Sequence, residues 1–138
     1  MRAKIELVPV ETNPIDIAWT DRPAAPMAKI NPQPLEFAGE DHNSKRQRIG
    51  IAVERGGADA AVITAPPSIA WLFNIRGGDV SRSPLPLSSA IINKDGTATL
   101  FVAPEKITDE TRSHLGNQVA LRPETEFETG LSELTGQT

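Results

Sequence analysis

Proline decides first what this chain cannot build. Six of its twelve prolines fall within the first 35 residues, at Pro9, Pro14, Pro23, Pro26, Pro32 and Pro34. Each removes a backbone donor and pushes the residue before it out of the helical region. Residues 1–35 are therefore expected to form an arm or connector, with only Ile5–Val10 composed for a short strand. Ile15, Ile17 and Trp19 on this arm need a partner surface, on this chain or another. The folded part is expected over 36–138, enough for one core but not for two large ones.

Periodicity lays out that part. Asp41 or Ser44 can cap a helix running to Arg55, with Ile49, Ala52 and Val53 at helical spacing as its buried stripe. Gly56-Gly57 ends it. The apolar run Asp59–Thr64 lacks strict alternation, which fits a buried parallel strand. Pro66-Pro67-Ser68 opens a short helix through Asn74, where proline suits the first turn. Leu87–Asn93 and Thr97–Val102 read as strands joined by Asn93-Lys94-Asp95-Gly96, a strong hairpin signal. Asp109–Leu115 is a helix stopped by Gly116, Gln118–Leu121 a strand, and Glu124–Leu134 a closing helix. This order predicts an α/β fold, a mixed β-sheet flanked by helices. The expected core is Ile49, Val53, Val62, Ile63, Ile69, Trp71, Leu72, Ile91, Leu100, Phe101, Val102, Val119 and Leu121.

Composition removes several chemistries. The formal net charge is -4 and there is no cysteine. Without a basic stripe nucleic acid is disfavoured, and Lys45-Arg46-Gln47-Arg48, beside Glu40 and Asp41, reads as a solvated helix face. Thiolate metal sites and a cysteine nucleophile are excluded. No apolar run approaches the roughly 20 residues of a membrane span, and Met1–Glu6 lacks the apolar core of a signal peptide, so the expected compartment is the cytoplasm. His42 and His114 have no partners at metal-ligand spacing and are expected at the surface. No Gly-x-Ser-x-Gly elbow, dinucleotide fingerprint or P-loop is present.

One stretch carries a candidate site. Arg76-Gly77-Gly78-Asp79 follows the apolar helix Ile69–Phe73 directly. Arg76 and Asp79 read either as a local salt bridge shaping a turn or as a binding rim. In the second reading Gly77 and Gly78 let a partner approach the backbone, and Arg76 offers a forked donor to a carboxylate or carbonyl. Trp71 reads as a core anchor.

The longer stretch ADAAVITAPPSIAWLFNIRGGDV resembles the second amino-terminal domain of Xaa-Pro aminopeptidases, the aminopeptidase P group of the creatinase/prolidase metallopeptidase family. Ile69-Ala70-Trp71-Leu72, Asn74-Ile75-Arg76-Gly77 and Asp79 match its pattern position by position. Asn13-Pro14-Ile15-Asp16 and Trp19-Thr20-Asp21-Arg22-Pro23 resemble the family's connector between its first two domains, and Phe37-Ala38-Gly39 the approach to the second domain's first helix. Ser81-Arg82-Ser83 and Ser89 depart from the family pattern. The resemblance implies a creatinase/prolidase amino-terminal-type fold. It also implies a role in shaping the substrate entrance and subunit contacts for cleavage before a penultimate proline, with Arg76, Gly77, Gly78 and Asp79 on the rim facing the active site. The family's two divalent metals, typically manganese, are held by two Asp, one His and two Glu of a carboxy-terminal domain beyond this chain, so no metal, cofactor or catalytic residue is expected here.

Two readings follow. In the first, the chain is a non-catalytic module, truncated or a fragment, of an Xaa-Pro aminopeptidase-like metallopeptidase. In the second it is an independent interaction or regulatory module that lost its catalytic domain. Expected partners are a second copy or a full-length homologue, with peptide substrate only when a catalytic domain is present, and neither nucleic acid nor membrane. An enzyme acting alone is disfavoured, because no base, nucleophile or metal set can be assembled.

Overall fold

A computed structural model describes residues 8–137 of the 138-residue chain. In chain order the elements are α1 (Pro14–Ala18), β1 (Asn31–Pro32), α2 (Leu35–Ala38), α3 (His42–Arg55), β2 (Ala60–Ile63), α4 (Pro66–Phe73), β3 (Ile75–Arg76), β4 (Ser89–Asn93), β5 (Ala98–Phe101), α5 (Asp109–Leu115), β6 (Val119–Arg122) and α6 (Phe127–Ser132). Short 3-10 turns at Pro104–Lys106 and Glu124–Glu126 precede α5 and α6.

The main sheet has the order β2-β4-β5-β6 and is mixed. β2 and β5 flank β4 antiparallel, and β6 joins β5 in parallel. The expected hairpin forms at Asn93–Gly96. There Gly96 takes φ +82, a conformation that glycine adopts without the cost a side chain brings. The buried cluster runs from Ile69, Leu72 and Phe73 of α4 through Ile92 and Leu100 of the sheet to Leu115 of α5 and Val119 of β6.

Three expectations change. The Ala60–Ile63 run is an antiparallel edge strand, not a buried parallel one, and Val62 is 45% exposed. A short apolar run reads the same in either setting, and here β4 alone takes it as a neighbour. Trp71 is 40% exposed; Phe73, two residues on, is the buried aromatic of α4. On α3 the inner face is His42, Lys45, Arg46 and Gly50, with Ile49 and Val53 half-buried and Ala52 exposed. That is one helical stripe, but its first half is polar, so apolar spacing alone assigned the wrong register.

The buried cations of this stripe are spent on carbonyls. Arg46 Nη1 donates to Gly96 O at 2.6 Å, in the hairpin turn, and its Nη2 donates to Asn43 Oδ1. Lys45 Nζ donates to Trp71 O at 3.1 Å and to Asn74 Oδ1 at 2.6 Å. The segment read as a solvated face is therefore half solvated. Gln47 and Arg48 face water, and Lys45 and Arg46 pin α3 to α4 and to the hairpin.

Packing begins inside the proline-rich region. Ile30 is fully buried and bridges Ile107, and Asn31-Pro32 pair with Ile75-Arg76. Upstream, α1 has no buried residue, and Ile15, Ile17 and Trp19 are exposed. The strand expected at Ile5–Val10 starts outside the described residues, and residues 8–10 are not in a strand.

Candidate substrate-rim loop

The candidate loop leaves the carboxyl end of α4. Asn74 ends that helix in the left-handed region, at φ 49 and ψ 53, a conformation asparagine tolerates better than most side chains. Its amide side chain is engaged at both ends: Nδ2 donates to Glu40 O at 2.8 Å, and Oδ1 accepts from Lys45.

The carbonyls of a helix's last turn carry partial negative charge, and cations there are favourable. Three groups meet them on α4. Arg76 Nη1 donates to Ala70 O at 3.1 Å, Lys45 Nζ to Trp71 O, and His114 Nε2 to Phe73 O at 2.9 Å. Arg76 also donates to Ile75 O at 2.8 Å. The first task of Arg76 is thus to close the helix that precedes it. Among the described residues its Nε and Nη2 donate to no protein group, and no carboxylate pairs with it.

Asp79 lies elsewhere. Its carboxylate is fully buried against Lys106, itself 3% exposed, with Nζ–Oδ2 at 2.9 Å. Oδ1 accepts from the Ala28 amide at 3.1 Å and Oδ2 from the Leu87 amide at 2.8 Å. Lys106 Nζ also donates to Leu87 O at 3.2 Å. Burial opposes ionisation of Asp79, but the Lys106 ammonium and the two amides outweigh it, so the carboxyl sits below its ordinary value. The expected local Arg76–Asp79 pair does not form, and Asp79 is not on an accessible rim. One carboxylate instead ties together the root of the arm, both ends of the 79–87 loop and the turn before α5.

The glycines serve the same closure. A Cβ on Gly77 would stand 3.0 Å from Pro86, and one on Gly78 3.3 Å from Ala28 Cβ. Gly77 N donates to Pro84 O at 3.2 Å, while Val80 and Ser83 bridge across the tip. The tip, Ser81-Arg82, stands in solvent, with Arg82 at φ 63.

Above the loop's root, the exposed face of Trp71 is flanked by two cations. Lys45 Nζ lies 4.7 Å and the Arg48 guanidinium 5.4 Å from the ring centroid, within range for attraction to the ring face. Arg48 is also paired with Glu40 at 2.7 Å. An apolar groove of about 380 Å³ adjoins this face, lined by Ile49, Ile63, Pro67, Ser68, Trp71 and Leu72.

Sequence reasoning missed Lys106, Lys45 and Asn74. His42 and His114, expected at the surface, stack on one another with ring centroids 4.6 Å apart, and His42 is 4% exposed.

The described residues hold no group of three or more His, Cys, Asp or Glu that could bind a metal.

Comparison with known proteins supplies the family. Residues 21–138 match the model for the creatinase/prolidase N-terminal domain. The chain is 39% identical over 120 residues to a probable Xaa-Pro aminopeptidase P of Fusarium vanettenii, covering 86% of this chain and 19% of that protein. It is 39% identical over 118 residues to that of Coccidioides posadasii, covering 85% and 19%. It superposes on the crystal structure of X-prolyl aminopeptidase from Caenorhabditis elegans with a TM-score of 0.86 and 27% identity, covering 93% of this chain and 21% of that one. That protein is described as a cytosolic enzyme with a di-nuclear active site. The chain thus spans about a fifth of the length of the relatives it matches, and among the described residues no helix is long and apolar enough to cross a membrane. With its mixed sheet and flanking helices, the chain belongs to the creatinase/prolidase N-terminal domain family.

Proposed function

We propose that this chain is a non-catalytic scaffold of an Xaa-Pro aminopeptidase-like metallopeptidase, one that holds a rigid rim at the substrate entrance of a catalytic domain. The observation that carries the reading is the buried Asp79–Lys106 pair, which fixes the root of the 79–87 loop while its tip stays in solvent. A loop fixed at its root presents its tip at a set position, as a recognition rim requires. Arg76, half-buried beside that root with unspent donors, is placed to orient a peptide carbonyl or carboxylate. The chemistry would belong to two divalent metals in the partner domain. This chain would position the substrate and keep the entrance shaped for an Xaa-Pro amino terminus, in the cytoplasm as in the C. elegans relative.

The uncovered arm supports a partner as part of this reading. Ile15 and Ile17 of α1 and Trp19 just after it are exposed among the described residues. A second copy or a full-length homologue would cover them.

The test is a chimera in which this chain replaces the matching fifth of the F. vanettenii relative. Hydrolysis of an Xaa-Pro tripeptide by the chimera supports the reading, as does a several-fold rise in KM with Arg76→Ala. A folded, metal-loaded chimera that does not turn over, or an Arg76→Ala chimera with unchanged KM and kcat, counts against it.

A further inference from the structure

We propose that the stacked His42–His114 pair is an acid-sensitive latch that fastens α5 to α3 and α4, and through α5 holds the root of the arm. The two imidazoles link three elements in series. His42 Nε2, at the start of α3, donates to the His114 carbonyl at 2.9 Å, and His114 Nε2, in the last turn of α5, donates to the Phe73 carbonyl at 2.9 Å. A carbonyl only accepts, so each Nε2 carries its proton. The rings stack at 4.6 Å with an interplanar angle of 40°.

His42 Nδ1 is buried and has no partner. As a lone pair it is tolerated there. As an N–H it would be a buried donor without an acceptor, on a cationic ring against a second imidazole. The surrounding charge adds to the cost. From α3, Arg46 opposes a proton on His42, Lys45 lies one turn on along the same face, and Asp41 favours it; from α5 the His114 ring opposes the proton and the His114 carbonyl favours it; α4 offers the Phe73 carbonyl and no ionisable side chain. Burial is the largest influence and holds His42 below its ordinary value, with His114 and Arg46 acting in the same direction. A base depressed in the folded state contributes its full stability above the unfolded value of about 6.5. That contribution is lost as the pH falls below it, because the unfolded chain takes up the proton first.

These are the two histidines of the chain, and the latch is built from both. The load it carries is specific. The Thr111 hydroxyl of α5 donates to Ile30 O at 2.6 Å, and both residues are fully buried. Loosening α5 therefore loosens the point where the arm joins the domain.

The experiment is hydrogen exchange on the full chain at pH 7.4 and 5.5, corrected for intrinsic rates. The comparison is the double variant His42→Gln/His114→Gln, whose amides keep a donor at the Nε2 position and do not titrate. In the unsubstituted chain the α5 amides should lose about tenfold in protection at pH 5.5, the equivalent of one pH unit of linkage, and amides of β4 and β5 that exchange by global unfolding should lose no more than that. The double variant should show no such loss. Equal α5 protection at both pH values, or the same loss in both proteins, overturns the latch. Should the double variant not fold, imidazole nitrogen NMR on the unsubstituted chain decides. His42 Nδ1 unprotonated to a lower pH than in a free histidine peptide, with α5 resonances shifting as it titrates, supports the latch. Two imidazoles titrating like free histidine beside unmoved α5 resonances overturn it.

Discussion

Trp71 and Phe73 stand two residues apart on α4 and meet different surroundings. Phe73 is fully buried in the cluster beneath the helix, whereas Trp71 is 40% exposed beneath Lys45 and Arg48. Phe73→Ala should cost about 3–5 kcal/mol, the range for a buried aromatic. Trp71→Ala should cost only about 1–2 kcal/mol, from partial burial and exposed cation–ring contacts. Urea unfolding of both variants checks the order, and a larger loss for Trp71→Ala would refute this placement of the helix face. Asp79 sets the other residue-scale expectation. Asp79→Ala leaves Lys106 buried without a counter-charge and should cost about 3–5 kcal/mol. Because the folded carboxyl is held below its ordinary value, its contribution is present above about pH 4 and fades as the pH falls through the folded value. Unfolding curves between pH 6 and 2 should therefore fall less steeply for Asp79→Asn than for the unsubstituted chain.

At the scale of elements, α3 lies directly against the backbone of the hairpin. A Cβ on Gly50 would lie 2.7 Å from Lys94 O and 2.9 Å from Gly96 N, both backbone atoms that cannot swing aside. Helix propensity alone favours Gly50→Ala by about 1 kcal/mol. Overpacking against backbone should reverse the sign, for a net loss of about 1–3 kcal/mol. A thermal melt of Gly50→Ala settles which effect wins, and a raised midpoint would show that the hairpin can move away. Gly50 also marks what could be read beforehand. Caps, turn residues and apolar spacing located α3, α4, α5, the β4–β5 hairpin and β6, because those signals are local. The orientation of β2 was not legible, since Ala60–Ile63 is composed alike for a parallel interior or an antiparallel edge, and the distant hairpin decides. The inner face of α3 was not legible either, because Lys45 and Arg46 look solvated until the carbonyls of Trp71 and Gly96 are brought to them. At the candidate loop, the strand–helix–Arg-Gly order was readable. The partner of Asp79 lies 27 residues on and was not.

For the molecule as a whole, the division between arm and domain is one of burial. Val8, Val10, Ile15, Ile17, Trp19 and Met27 are all exposed, while Ile30 is fully buried. Thermolysin, which cuts beside large apolar residues, should trim the chain within residues 8–27. The remainder should keep the urea midpoint of the whole chain, since none of residues 8–27 belongs to the core; cutting first inside 36–134 would contradict this. Catalysis should be absent on the same scale. Hydrolysis by a metal pair needs ligands converging on both ions and a water activated between them. Here the carboxylates go to other ends: Asp41 caps α3, Asp79 is consumed by Lys106, and Glu126 and Glu133 both pair with Arg122. The two imidazoles donate to carbonyls from Nε2 and lie against one another, so neither stands open to an ion beside a carboxylate. The chain incubated with Mn²⁺ and an Xaa-Pro tripeptide should therefore release no amino-terminal residue above a chelator-treated control. Metal-dependent turnover that persists through repeated purification would require a ligand set these residues do not form.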